Sequence, residues 1–262
     1  MRVVRLVTWN VNSLKARLPR VEEWLAVVQP DVVCLQETKM ADTAFPAMAL
    51  QSLGYEAAHH GEGRWNGVAV LSRVGIEDVT TGFGADPELD REARLVSAVC
   101  AGVRVASAYV PNGRSLDDDH YTYKLAWLDQ LTRWAEARID ESLVIAGDLN
   151  IAPDDRDVWD PAEFEGSTHV SAAERDRFDA LVALGLIDVF RRHYDAPGLY
   201  SWWDYRGGNF HKRKGMRIDH VLATSDVADR TTAVLVDRNA RKGPGPSDHA
   251  PVVVDIAEPK TR

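Results

Sequence analysis

Along this 262-residue chain, polar residues able to carry chemistry stand at the ends of apolar runs. Asn10 and Asn12 follow RLVTW, and Glu37 follows DVVCLQ. Tyr109 and Asn112 end VASAYVPN, and Asp148 and Asn150 end SLVIAGDLN. Asp219 lies in RIDHVLA, while Asp248 and His249 precede APVVV. A polar group in or beside a core costs stability unless it is paired, so such placements mark candidate sites. Taken one at a time, each has a plainer explanation. An Asp or Asn after a strand is usually a turn former; Glu37 reads as a solvated strand end, Tyr109 as a core aromatic with a wet hydroxyl, His249 as a satisfied histidine. Together they make a working set. Glu37, Asp148 and Asp248 supply three carboxylates, and Asn10 and Asn150 two amide oxygens. Hard oxygen donors suit Mg²⁺, with Mn²⁺ as a substitute, and not Zn²⁺, which favours His and Cys. Asp219 can orient His249, fixing its tautomer and stabilising its charged form. A metal, an oriented histidine and a carboxylate together can hydrolyse a phosphodiester: they stabilise charge on the phosphoryl oxygens, activate water and help the leaving oxygen depart.

Strands must bring these residues together. They are expected at 3–9, 31–36, 67–72, 94–100, 103–110, 142–147, 218–223, 232–236 and 251–256, with 94–100 and 103–110 forming a hairpin. A helix is expected at 19–28, where Val21, Trp24, Leu25 and Val28 fall at helical spacing, Pro19 suits the first turn and Pro30 stops the helix. PAMALQSLG reads as a short helix ending at Gly54, and 119–138 as a long one with Tyr121, Leu125, Leu128 and Leu131 on one face. Ser171 and Glu174 form a capping box that opens a helix running to about Gly185. Strands outnumber helices and cluster as hairpins, which points to an α/β sandwich rather than an alternating doubly wound sheet. No linker or short repeat interrupts the sequence, so one domain over 1–262 is expected.

Composition narrows the function classes. The 45% of apolar residues excludes a disordered chain, and a net charge of -9 excludes a polycation that coats nucleic acid by charge alone. Cys34 and Cys100 lie in the apolar runs DVVCLQ and VSAVCAG, which suits buried, reduced thiols. The segment MRVVRLVTWN lacks a signal-peptide pattern, and no apolar run approaches a membrane span, so a cytoplasmic protein without membrane association is expected. A monomer is the default. No P-loop or dinucleotide string is present, and no nucleotide cofactor is implied.

The strings QET, GDLN and SDHAPV resemble the endonuclease/exonuclease/phosphatase superfamily, also called DNase I-like. The ordered set WNVNSLKAR, YVPNG, GDLNIAP, SWWDYR and GMRIDH is similar to the exonuclease III family of apurinic/apyrimidinic (AP) endonucleases, over residues 4 to 256. That resemblance implies a four-layer α/β sandwich, two packed mixed β-sheets flanked by helices. It also implies a Mg²⁺-dependent nuclease of base excision repair, acting on double-stranded DNA with abasic sites or 3′ ends. Such an enzyme cuts 5′ to the abasic site and trims 3′ ends as exonuclease, phosphodiesterase and phosphatase. By the resemblance, Asn10 and Glu37 are metal-side residues with Asp248 beside them, and Asp148, Asn150 and His249 also border the metal. Asp148 handles the proton of the attacking water or the leaving oxygen. Asn150 holds the nucleophile, Asp219 and His249 form the Asp–His pair on the phosphate, and Tyr109 is the active-site tyrosine and a rival candidate for the base. Asn112 and Trp202 match positions near the phosphate and the abasic sugar. Two departures stand out: Asn12, where some relatives carry Asp, and Met216, where some carry an aromatic.

Charge is unevenly spread. Residues 1–21 carry Arg2, Arg5, Lys15, Arg17 and Arg20 and no acid, and residues 202–217 carry Arg206, Lys212, Arg213, Lys214 and Arg217 against Asp204 alone. The 148–165 segment instead holds seven acids and Arg156. A charge run is usually a solvated loop and a Trp pair usually core, but 206–217 runs directly into Asp219. The expected DNA contacts are therefore Arg17, Lys212, Arg213 and Lys214, with Lys39, Arg64 and Arg114 weaker candidates, each beside a site string; Trp202 and Trp203 offer aromatic faces and Met216 an apolar wedge. Two rival readings share the core strings: an inositol-phosphate or sphingolipid phosphodiesterase, and a non-catalytic DNA-binding relative. The WNVNS, YVPNG and WWDYR strings argue against the first, and the intact site strings against the second.

Overall fold

The computed structural model describes residues 3–258. Twelve strands are present among them. The first seven are β1 (Val3–Asn10), β2 (Val32–Gln36), β3 (Glu56–His60), β4 (Val68–Ser72), β5 (Glu77–Thr81), β6 (Leu95–Cys100) and β7 (Val103–Tyr109). The remainder are β8 (Leu143–Asp148), β9 (Ile187–Asp188), β10 (Asp219–Ala223), β11 (Thr231–Val236) and β12 (Val252–Ala257). The helices are α1 (Leu14–Val28), α2 (Ala47–Ser52), α3 (Asp119–Glu136), α4 (Ala172–Ala183), α5 (Val189–His193), α6 (Asn209–Lys212) and α7 (Ser225–Ala228). The strands form two six-stranded mixed sheets, ordered β11-β12-β1-β2-β4-β3 and β5-β6-β7-β8-β10-β9.

Side-chain alternation explains the layering. Successive strand residues face opposite sides, so each buried strand feeds two cores. Leu6, Val32, Cys34, Val68, Val70, Val105, Val144, Ala146 and Val221 pack between the sheets. Their neighbours Val7, Trp9, Val33, Leu35 and Leu71 turn outward onto Leu14, Val21 and Leu25 of α1 and Leu50 of α2. On the other sheet Ala106, Leu143, Ile145 and Leu222 turn outward onto Trp127, Leu128 and Leu131 of α3 and Phe178 and Leu181 of α4. The result is the helix–sheet–sheet–helix order expected of a four-layer sandwich, and Cys34 and Cys100 are free and buried within it. Gly147 allows β8 a close approach to β7: a Cβ there would lie 1.8 Å from the Ala108 carbonyl oxygen.

Several local expectations change. α1 begins at Leu14, capped by Ser13, whose side chain accepts from the Ala16 N–H; Pro19 is inside the helix, not in its first turn. Pro19 and Lys15 are both exposed there, so the carbonyl that the proline cannot serve faces solvent. The buried face of α3 runs through Tyr123, Lys124, Trp127, Leu128 and Leu131, one step round from the stripe of Tyr121 and Leu125. β3, β5, β9 and the short helices α5, α6 and α7 were not foreseen: β5 is mostly exposed and β9 has two residues, so neither leaves a clear apolar pattern. Among the described residues, no helix is long and apolar enough to cross a membrane.

Candidate active site

Strand register assembles the site. β7 and β8 pair in parallel with Tyr109 opposite Asp148, and β10 pairs antiparallel with β8 with Asp219 opposite Asp148. Three neighbouring strands thus bring Tyr109, Asp148 and Asp219 abreast. From the other sheet, β1 ends at Asn10, opposite Gln36, the last residue of β2. Glu37 follows with φ of 53°, a left-handed conformation that ends the strand. Below, the sheets are tied by polar groups: Gln36 Nε2 donates to Ser107 Oγ at 3.0 Å, and Ser107 donates to the Leu35 carbonyl at 2.9 Å.

Asn10 joins the acids of the two sheets. Its amide nitrogen donates to Glu37 Oε1 at 2.8 Å and to Asp148 Oδ2 at 2.9 Å. Its oxygen accepts from the Asn12 backbone N–H at 2.9 Å. A backbone N–H can only donate, so this contact fixes the amide orientation. Asn10 therefore presents its NH₂ to the carboxylates, not the amide oxygen expected of a metal ligand. Ligand atoms of Glu37, Asp148 and His249 lie within 4.8 Å of one another. The two carboxylates fit a hard divalent cation, and Lys39 Nζ, 2.7 Å from Glu37 Oε2, partly balances their charge.

His249 is gripped from one side. Its Nδ1 lies 2.8 Å from Asp219 Oδ2, which also accepts from Ser201 Oγ at 2.6 Å. Nδ1 is thus the donor to Asp219, and Nε2 faces Asp148 Oδ2 at 3.7 Å. Burial alone would lower the imidazolium pKa, but Asp219 and Asp148 outweigh it and hold His249 up to about 10. Burial pushes the Asp148 carboxyl up to about 7, with Asp219 and Glu37 adding to the rise and His249 and Asn10 opposing it. Asp248, expected beside the metal, is not among the three grouped residues. Its carboxylate accepts from Asn12 Nδ2 and Trp202 Nε1, each at 3.0 Å. Burial resists its ionisation, yet His249 and these two donors hold it below the usual carboxylate range.

Tyr109 is half-buried beside the acids. Burial first, then Glu37, raise its phenol well above the ordinary value, and Arg94 only partly counters them. Arg94 lies over the Tyr109 ring at 4.7 Å and is itself buried, a contact the sequence did not announce. Asn150, with φ of 51°, donates its backbone N–H to Asp148 Oδ1 at 2.9 Å and its amide NH₂ to the Val110 carbonyl at 2.9 Å. The amide oxygen faces Asn112 Nδ2 at 3.4 Å and His169 Nε2 at 3.0 Å. His169 was also missed. It sits in a loop between the acidic segment and the capping box, ending no apolar run. Burial and the Lys124 charge lower its pKa to about 3, so it is neutral here.

The expected DNA contacts divide. Arg17 reaches the site margin, bonding the Asn12 carbonyl and, at 2.9 Å, the Tyr205 hydroxyl. Lys39 touches Glu37 and Asn12, at 2.7 Å each. Arg114 is exposed beside Asn112, and Lys212 and Arg213 are exposed on and just after α6. Lys214 lies over the Trp159 ring at 3.7 Å, and Arg64 is exposed with its guanidinium over Trp65. Trp202 is half-buried against Asp248, still at the site. Two candidates are corrected. Met216 is sealed among Ala152, Val158 and Ile218, so it offers no wedge, and Trp203 is buried against Tyr200 and Ala250. Arg217 is 1% exposed, bonded to Asp157, Asp188 and His220. In the N-terminal stretch Arg5 pairs with Asp255 and Arg20 caps the carbonyls of Ala240, Lys242 and Pro244, while Arg2 lies outside the described residues.

Comparison with known proteins gives a consistent result. A model of the endonuclease/exonuclease/phosphatase family matches residues 7–249. Exodeoxyribonuclease III of Haemophilus influenzae is 33% identical over 95% of this chain and 98% of its own. A 3′ phosphatase, NExo, from Neisseria, solved bound to a product DNA hairpin, superposes with a TM-score of 0.93 at 39% identity, covering 97% of this chain and 99% of that one. An AP endonuclease from Archaeoglobus fulgidus gives a TM-score of 0.93 at 34% identity over the same shares.

Proposed function

The chain belongs to the endonuclease/exonuclease/phosphatase family, and from that premise we propose that it is a metal-dependent DNA-repair nuclease that cleaves 5′ to abasic sites and trims 3′ ends of double-stranded DNA. The observation that carries the reading is the convergence of Glu37, Asp148 and an Asp219-oriented His249 at one end of the two sheets. A divalent cation, Mg²⁺ by the hardness of the donors, would be held by Glu37 and Asp148 and would supply charge stabilisation to the phosphoryl oxygens.

The chain's own groups do the rest. His249, positively charged and pinned through Nδ1, presents its Nε2–H to a phosphate oxygen. Asp148, buried between Asn10 and the His249 ring, is placed to take a proton from water or give one to the leaving oxygen. Asn150, locked by Val110 and Asp148, orients the nucleophile. Tyr109 stays a neutral phenol under burial and Glu37, which favours a hydrogen-bond donor over a phenolate base. All of these residues come from one chain, so the site is complete without a contribution from a second copy.

The test is a labelled duplex containing one abasic analogue, incubated with Mg²⁺ and with EDTA, beside a 3′-phosphate hairpin. Incision 5′ to the analogue leaving a 3′-hydroxyl, with a descending ladder, is expected in Mg²⁺ only. Cleavage of a phosphoinositide in place of either DNA would overturn the reading.

A further inference from the structure

Beneath the two asparagines lies a fully buried ion pair that the reaction itself does not use. Lys124 on α3 and Glu174 on α4 are both 0% exposed and bonded to each other. Lys124 Nζ also donates to the Asn150 carbonyl at 2.7 Å and to the Asn112 carbonyl at 3.2 Å. An ammonium has three N–H donors, and here it meets three acceptors. Glu174 is held in turn: its Oε2 accepts from the Ser171 N–H at 3.1 Å and Ser171 Oγ at 2.7 Å, the capping box of α4.

We propose that Lys124 is a positioning residue for phosphodiester hydrolysis, clamping the loops after β7 and β8 through two backbone carbonyls so that Asn112 and Asn150 converge beside Asp148. Asn150 sits in the left-handed region, which surrounding bonds must hold. Its N–H is fixed to Asp148, its side chain to Val110 and its carbonyl to Lys124. The Asn112 side chain, 3.4 Å from Asn150 Oδ1, shares the same anchor through its own carbonyl. Arginine does not reproduce the clamp: its rigid planar fork does not fit three acceptors gathered round one nitrogen. A simple structural salt bridge would not need to end on the carbonyls of two site residues.

The inference rests on the nuclease reading, and the experiment separates the two. Wild type is assayed first on the abasic and 3′-phosphate DNAs; if it cuts neither, the nuclease reading fails, and the clamp is then tested with bis(p-nitrophenyl) phosphate. The informative comparison is Glu174→Gln against Glu174→Gln with Lys124→Met. Neither buries an unpaired carboxylate; glutamine keeps the capping box through its amide oxygen and turns its NH₂ to Lys124, which without a counter-charge is held as a neutral amine and accepts from it. Glu174→Gln leaves two N–H groups on the carbonyls, so kcat should stay within about threefold of wild type even if the Tm falls. Adding Lys124→Met should lower kcat by roughly ten- to a hundredfold with KM for DNA little changed, the scale expected of an ångström-sized misplacement. If the double variant keeps the kcat of Glu174→Gln, or Glu174→Gln alone loses more than tenfold, the clamp is wrong. Should the double variant not fold, Lys124→Gln in the same background takes its place under the same criterion.

Discussion

At the scale of single residues, the site turns on which groups hold protons. Asp148 and His249 face each other at 3.7 Å, with the imidazole proton steered by Asp219 on the far side. Asp148→Asn keeps the side-chain shape and one of the two acceptor oxygens that serve Asn10 and Asn150, but removes proton transfer. Its kcat should fall by roughly 10³-fold or more, the upper part of the range for an acid–base group, while circular dichroism and Tm stay those of a folded protein. Tyr109→Phe should behave differently. A phenol raised well above its ordinary pKa acts by donating a hydrogen bond, so its loss should cost about 10²-fold and leave the shape of the pH–rate profile unchanged. If Tyr109→Phe removed an alkaline limb from that profile, or Asp148→Asn kept a near-wild-type rate, the roles would be misassigned. Asp148, Asp219 and His249 were legible in the sequence because each interrupts an apolar run. His169, Arg94 and Lys124 were not. Lys124 and Arg94 owe their importance to packing across elements far apart in sequence, and His169 to a loop that no periodicity describes.

At the scale of elements, the long inner strands were legible because burial on both faces leaves continuous apolar runs, and the capping box because Ser171 and Glu174 stand three residues apart. β5, β9 and α5 were not, since their partners and not their own patterns make them regular. Arg217, counted by its sequence with the basic 202–217 run, is in fact the hub joining β10, α5 and the loop after β8. Within this hub, Arg217 Nη1 donates to His220 Nδ1 at 3.0 Å, so the His220 proton stays on Nε2 and goes to the Ile151 carbonyl at 2.8 Å. Burial, then Arg217, depress the His220 pKa to about 4. The unfolded histidine, near 6.5, binds the proton first on acidification. Stability from this group is therefore complete above about pH 6.5 and is lost as pH falls towards 4, roughly 2 kcal/mol of it by pH 5. In EDTA, so that metal release plays no part, His220→Gln should narrow the gap between stability at pH 7.5 and at pH 5 by about that amount. Chemical denaturation at the two pH values reads it directly; an unchanged gap would mean His220 is not the neutral member of the hub.

At the scale of the whole molecule, an enzyme with a net charge of -9 must meet DNA through a restricted face. Part of the chain's basic inventory is committed elsewhere: Arg217, Arg94 and Lys124 are buried in ion pairs, and Arg5 and Arg20 are bonded to acid or carbonyl groups. What remains near the site is Arg17 and Lys39 at its margin, Arg114 beside Asn112, and Lys212 and Arg213 around α6, whose loop is tied down where Tyr205 bonds Arg17 and the Pro246 carbonyl. A run of basic residues in the sequence is thus a poor count of phosphate contacts; exposure decides. Each phosphate contact releases condensed counterions and adds about 0.9 to the slope of log affinity against log salt. Replacing Lys212 and Arg213 with alanine should weaken binding to a 3′-phosphate hairpin and flatten that slope by about 2 in total. Arg217→Met, removed from the same sequence run, should lower the Tm and leave the slope unchanged, because its charge is already consumed by Asp157 and Asp188. Fluorescence anisotropy between 50 and 200 mM KCl in EDTA, where no cleavage intervenes, gives both slopes. An unaltered slope in the Lys212/Arg213 variant would move the DNA face away from α6, leaving Arg17, Lys39 and Arg114 to carry the phosphates.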